Sequence, residues 1–275
     1  MAYKRLLTIQ DISCVGQCSL TVALPIISAC GVETAVLPSA VLSTHTAGFT
    51  GFTCRDLTDD FPAIEKHWKK EGLDFDAIYT GYLGSEKQIK YVASIMNSCA
   101  KKHAYKIVDP AMADNGALYP AFDMKYVNAM KKLIAMADIV LPNITEACFL
   151  TGIEYKEEYD ETYIKSLCKA LKALGAKKVV LTGVGYKKGK TGVVVYDSKM
   201  SYYEHKKEEH GRHGTGDIYA SAFAGALLSG KKVFDAAKIA ANYTLRCIQH
   251  SQKGANFYGA KFEPELGYLI KLLKE

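Results

Sequence analysis

The chain has 275 residues, 49% of them apolar, enough for one large α/β domain with a sizeable buried core. Its formal charge of +6 is spread over mixed acidic and basic residues. No basic stripe with interleaved aromatics marks a nucleic-acid surface, and the mild excess suits an anionic small ligand such as a nucleotide.

In chain order, short β-rich runs alternate with longer helical patterns. RLLTIQ (5–10) reads as a strand, and SLTVALPIISACG (19–31) as a glycine-stopped helix with its proline near the first turn, where proline is tolerated. TAVLPSAVLS (34–43) is a strand region. LTDDFPAIEKHWKKEG (57–72) is a helix capped by Thr58 or Asp59. DAIYTGYL (76–83) is a strand, and 85–103 a long helix capped by Ser85. YKIVDPAM (105–112) and DIVLPN (138–143) are strands around a helix at 123–137. Helices at 143–152 and 160–175 precede the strand KKVVLTGVG (177–185). A late β-hairpin region follows to residue 205, then apolar helices at 217–230 and 233–251 and a last amphipathic helix at 263–275. This alternation predicts a mainly parallel central sheet with helices on both faces. No linker, repeat or low-complexity block interrupts it, so a single domain over 1–275 with no separate lid domain is expected.

The eight cysteines include no C-x-x-C pair, and Cys14 and Cys18 have no second pair to complete a zinc site. Most sit among apolar neighbours and read as buried, reduced thiols. The start, MAYKRLLTIQD, lacks a signal-type apolar segment, and no apolar run reaches membrane-spanning length. A cytoplasmic protein without membrane or nucleic-acid partners is expected.

In open α/β sheets, ligands bind beyond the carboxyl ends of the strands. Those positions carry Asp11, then Ser43-Thr44-His45-Thr46, Gly81-Tyr82, Asp109, Asn143 with Glu146, and Thr182-Gly183. GYKKGKTG (185–192) imitates a phosphate loop, but Gly185 lies one residue too close to Gly189 and a strand follows; a hairpin turn is expected. HGRHGTGDIYAS (210–221) is different, because Gly214-Thr215-Gly216-Asp217 opens a helix. Spacing alone leaves two readings, a plain N-cap or a phosphate site built from glycine amides and the helix dipole.

Six stretches settle on one resemblance: LTIQDISCVG, VLSTHTAGFTGF, YTGYLGS, VDPAMAD, LPNITEACFLTG and GTGD. In this order the chain resembles the ribokinase-like small-molecule kinases, and more narrowly the pyridoxal kinases. The resemblance implies ATP-dependent phosphorylation of the 5′-hydroxymethyl group of a B6 vitamer. It implies that Asp217 is the general base and that the backbone of Gly214, Thr215 and Gly216 forms an anion hole. Asp109 and Glu146 then help position Mg²⁺ and, with Asn143, Asp114, Thr182 and Gly183, the ATP phosphates and nucleotide. Thr46, His45, Tyr82, Tyr119 and Asp11 line the substrate pocket, with Tyr82 against the ring. A homodimer is implied by the same analogy. The chemistry is consistent, since phosphoryl transfer needs positioning and charge neutralisation more than covalent steps.

Two departures stand out. The pyridine-contacting serine of many pyridoxal kinases is replaced by Asp11, suited to a protonated ring nitrogen, the 3-hydroxyl or a cationic aminomethyl group. The G-x-x-G-N stretch is replaced by GQCSL (16–20). His45 either touches a substrate oxygen or is held by hydrogen bonds behind the site. His210, Arg212 and His213 have no assigned role. A hydroxymethylpyrimidine kinase is the alternative within the superfamily. A nucleotide-binding regulator without turnover is the alternative outside it, and the presence of Asp217, Asp109 and Glu146 together argues against it.

Overall fold

The computed structural model describes residues 3–208, 213–251 and 258–275. His210 and Arg212 lie outside these. The elements in chain order are β1 (Arg5–Ser13), α1 (Leu20–Ala29), β2 (Glu33–Leu42), β3 (Cys54–Asp56), α2 (Phe61–Lys70), β4 (Phe75–Thr80), α3 (Glu86–Ser98), β5 (Ala100–Val108), β6 (Ala113–Asp114), β7 (Ala117–Leu118), α4 (Met124–Ile134), β8 (Ile139–Val140), α5 (Ile144–Thr151), α6 (Glu161–Ala173), β9 (Lys178–Thr182), β10 (Lys190–Tyr196), β11 (Met200–Lys206), α7 (Thr215–Leu228), α8 (Val233–Ser251) and α9 (Leu266–Lys274).

Among the described residues, nine strands form one sheet in the order β11-β10-β9-β8-β5-β4-β1-β2-β3. The six from β9 to β2 are parallel; at the edges β10 pairs antiparallel with β9, β11 antiparallel with β10, and β3 antiparallel with β2. Successive strand residues point to opposite faces. Leu7, Ile9 and Ile78 therefore pack with α3, α4 and α6 through Val92, Met130 and Leu167. Leu6, Ala77 and Tyr79 pack with α1, α7, α8 and α9 through Ile26, Phe223, Ala240 and Leu269. Both faces are covered, which is why the central strands are near-continuous apolar runs. This is the expected ribokinase-like α/β architecture, late hairpin included. Cys30, Cys99, Cys148, Cys168 and Cys247 are buried as expected, whereas Cys14 and Cys54 are exposed.

Four local expectations need correction. Pro25 lies in the second turn of α1, not the first, and there it removes the helical bond to the Thr21 carbonyl. Neither Thr58 nor Asp59 caps α2. A short 3₁₀ turn leads into it, Asp59 instead holds Lys87 Nζ at 2.6 Å, and buried Thr58 accepts from Gln88 Nε2 at 2.8 Å. The helix α3 ends at Ser98, and residues 100–103 belong to β5, because pairing with β4 begins at Phe75↔Ala100. The hairpin β6–β7 adds to the expected elements. Its turn, Asn115-Gly116, has φ of 50° and 79°, the two left-handed residues that such a two-residue connection requires.

Candidate active site

The strand exits meet at one end of the sheet. Asp109 follows β5, anchored by its amide on the Thr80 carbonyl (3.0 Å), and its side chain is buried. Across β8, Asn143 and Glu146 form a reciprocal cap on α5. Asn143 Oδ1 accepts from the Glu146 amide, and Glu146 Oε2 accepts from the Asn143 amide, both at 2.8 Å. Glu146 Oε1 accepts from the Met112 amide (3.1 Å), and Asn143 Nδ2 donates to the Ala113 carbonyl (2.8 Å). Glu146 thus fastens the loop after β5 to the start of α5. Burial raises its carboxyl to about 7, partly offset by these amides. Burial, then the charges of Glu146 and Asp217, push Asp109 well up. Asp114 ends β6 and accepts from the amide and side-chain nitrogens of Asn115.

Buried carboxylates that raise one another electrostatically suit a hard divalent cation. Among the described residues, however, no three metal-ligating side chains are grouped to hold an ion alone. That donor set suits Mg²⁺, which keeps several waters and phosphate ligands.

The second wall is the turn before α7. Gly214 has φ 76°, and a Cβ there would collide with the Gln17 carbonyl oxygen, so the position takes only glycine. Thr215, Gly216 and Asp217 form the first turn of α7, where the amides lack helical partners and the dipole is positive. Asp217 makes no capping bond to its own helix. Its Oδ2 instead accepts from the Ser19 amide at 2.9 Å. Burial raises the Asp217 carboxyl to about 7, that bond opposes the rise, and the charge of Asp11 adds to it. Asp11 is 6% exposed and accepts from Ser19 Oγ at 2.6 Å and Ser13 Oγ at 3.2 Å.

His45, read from the sequence as either a substrate contact or a residue held by hydrogen bonds behind the site, is held by backbone groups. Its ring is 3% exposed, Nδ1 accepts from the Ala47 amide (3.2 Å), and Nε2 pairs with the Tyr258 carbonyl (3.0 Å). Those partners require the neutral Nε2–H tautomer, and burial lowers the ring's pKa accordingly. The same Tyr258 carbonyl accepts from the Gln17 amide at 2.7 Å. His45 is therefore a clasp joining loops 14–19, 43–49 and 258–260. Thr46 is exposed in the middle loop. Tyr82 packs against Phe122 with the rings tilted by 38°, and Phe122 stacks on Tyr126 at 3.9 Å. Tyr82 feels the charge of Asp11, and Tyr119 feels Glu146, Asp114, Asp109 and Asp217. Thr182 and Gly183 follow β9, where Thr182 donates its amide to the Pro142 carbonyl (2.9 Å) next to Asn143. Gly189 closes a hairpin turn and Lys190 begins β10, so no phosphate loop is present there.

The sequence matches the phosphomethylpyrimidine kinase family over residues 24–260. The chain belongs to that family. Among solved structures of the family's fold, a Bacteroides thetaiotaomicron protein assigned to the phosphomethylpyrimidine kinases, crystallised with pyridoxal, is 33% identical. It superposes with a TM-score of 0.90 over 99% of this chain and 96% of that one. Pyridoxal kinase from Lactobacillus plantarum is 31% identical, with a TM-score of 0.91 over 98% and 97% of the two chains. The hydroxymethylpyrimidine/phosphomethylpyrimidine kinase of Aquifex aeolicus is 28% identical over 187 residues, 66% of this chain and 71% of that protein. The alignments span 45%, 66% and 71% of the first three curated relatives. In this family member the carboxylates after β5 and at the start of α5, and the glycine turn before α7, lie at the same end of the sheet.

Sequence reasoning missed Ser19, Gln17 and the Tyr258 carbonyl. It also gave Glu146 to Mg²⁺ and the ATP phosphates without its cap on α5, although N-x-x-E before an apolar run is a capping-box signal. No helix among the described residues is long and apolar enough to cross a membrane.

Proposed function

We propose that the chain transfers the γ-phosphoryl group of ATP, with Mg²⁺, to the 5′-hydroxymethyl group of a B6 vitamer. The observation that carries this reading is Asp217. It is a carboxyl at the mouth of α7, behind a turn that only glycine fits, held by the Ser19 amide and brought to about 7 by burial. A base poised near neutral pH removes the proton of an attacking hydroxyl effectively. The amides of Gly214, Thr215 and Gly216 receive the charge that develops on the moving phosphoryl oxygens. Asp109, supported by Glu146 and Asn143, takes the Mg²⁺ side; when bound, Mg²⁺ neutralises phosphate charge. Thr182 and Gly183 border the nucleotide, and Tyr82, with Asp11 beside it, faces the acceptor ring.

The pyridoxal in the crystals of the Bacteroides relative favours a B6 acceptor. The family match and the Aquifex relative favour a second reading, hydroxymethylpyrimidine or its phosphate. Both acceptors are flat rings with a hydroxymethyl arm. The test is kcat/KM with ATP and Mg²⁺ for pyridoxal, pyridoxine, pyridoxamine and hydroxymethylpyrimidine. The B6 reading expects a vitamer to lead the series. A lead for the pyrimidine transfers the site to the second reading.

A further inference from the structure

Ser19 stands in a conformation made for glycine. Its φ is 56° and ψ −131°, and besides Asn115 it is the only non-glycine among the described residues with positive φ. A side chain in that region is costly, and such strain persists where surrounding contacts over-determine it, most often at functional sites. Ser19 is fixed on every side. Its carbonyl accepts from the Val22 and Ala23 amides at 3.0 and 2.9 Å, starting α1, and its backbone bridges to Ile12. Its amide donates to Asp217 Oδ2 and its hydroxyl to Asp11 Oδ1, at 2.9 and 2.6 Å. Residue 19 is 5% exposed, so water does not compete for these bonds. Glycine would supply the backbone and the amide without strain. What the serine adds is the hydroxyl, and the hydroxyl goes to Asp11.

We propose that Ser19 is a positioning residue for two carboxylates at once: its amide fixes one oxygen of Asp217, leaving the other for the acceptor hydroxyl, and its hydroxyl fixes Asp11 beside the acceptor ring. The proposal rests on reading Asp217 as the base and Asp11 as a ring contact. It gives the two a common hinge at the start of α1, so that ring placement and base orientation are set by one residue. Ser13 on the other Asp11 oxygen completes the support.

Two variants separate the two bonds. Ser19→Gly keeps the amide, relieves the backbone and removes the hydroxyl. The acceptor KM rises about tenfold, as expected for a lost bond to a charged group, while kcat falls less than about threefold. Ser19→Ala keeps the strained backbone without the bond that compensates it. Residue 19 relaxes, its amide leaves Asp217, and kcat falls by about tenfold or more. The KM for ATP stays constant in both. An unchanged acceptor KM in Ser19→Gly, or equal kcat losses in the two variants, overturns the proposal. Should Ser19→Ala not fold, Ser19→Gly and the amide resonance decide. In the wild-type chain the Ser19 amide proton lies downfield in its NMR spectrum, and Asp217→Ala moves it upfield; a resonance that does not move overturns the proposal. That measurement needs no turnover. If the wild-type chain phosphorylates none of the acceptors, the functional reading fails while the amide resonance still decides the role of Ser19.

Discussion

Replacing Asp217 by Asn should make the protein more stable and much less active. The folded chain holds the Asp217 proton up to about pH 7, whereas an unfolded chain releases it near the ordinary carboxyl value of about 4. For a raised carboxyl the sign is fixed: stability is fullest below about pH 4 and declines as the pH climbs to about 7. Each pH unit is worth about 1.4 kcal/mol, so the ionised, half-buried carboxylate costs up to about 4 kcal/mol at pH 8. Asn keeps the shape and an oxygen for the Ser19 amide but carries no charge. It also relieves Asp109, which Asp217 pushes up. At about 2–4 °C per kcal/mol, the midpoint of thermal unfolding should rise on the order of 10 °C at pH 8. At pH 5 the gain should shrink to about 1–2 kcal/mol. The assay is calorimetric or dichroic melting of both proteins across this range, beside kcat, which should fall by about 10² to 10⁴. A gain that is absent at pH 8, or that does not depend on pH, refutes the electrostatic account of this residue.

The wild-type kcat should climb with pH and level off above about 7, since a base works only after losing its proton; a flat profile from pH 5.5 to 8.5 argues against Asp217 in that role. Asn143→Ala removes the α5 cap and should cost about 1 kcal/mol in denaturant unfolding. It should also lower kcat by loosening Glu146 and the loop at Met112, and an unchanged kcat contradicts that support. Gly214→Ala should abolish turnover and lower the melting midpoint, because the new Cβ meets the Gln17 carbonyl at a left-handed φ; wild-type activity in that variant removes the close backbone approach from the account.

Much of this was readable in the chain because the relevant signals are local. Apolar runs ending in Asp109, Asn143 and Thr182 marked strand exits, and Gly214-Thr215-Gly216 marked a helix mouth. Where tertiary pairing decides, the reading failed. Lys101–His103 continue a helical pattern, yet β4 draws them into β5. The three-residue strand β3 is too short to carry a period. Asn115-Gly116 carries its hairpin signal in the sequence itself. Ser19 could not be found from sequence at all, because its φ and its two carboxylate partners, one of them 198 residues away, exist only in the folded chain. His45 illustrates the opposite case. A histidine at a strand exit invites a substrate role, and only its two backbone partners reveal a clasp.

The central claim is phosphoryl transfer to a hydroxymethyl heteroaromatic through Asp217. Its most direct test is a single reaction containing ATP, Mg²⁺, the three B6 vitamers and hydroxymethylpyrimidine in equal amounts, with the products identified by mass spectrometry for wild type and Asp217→Asn. The account predicts a B6 5′-phosphate as the main early product, and its near-complete loss in the variant. Equal product formation by both proteins, or no phosphorylated acceptor from the wild type, contradicts it.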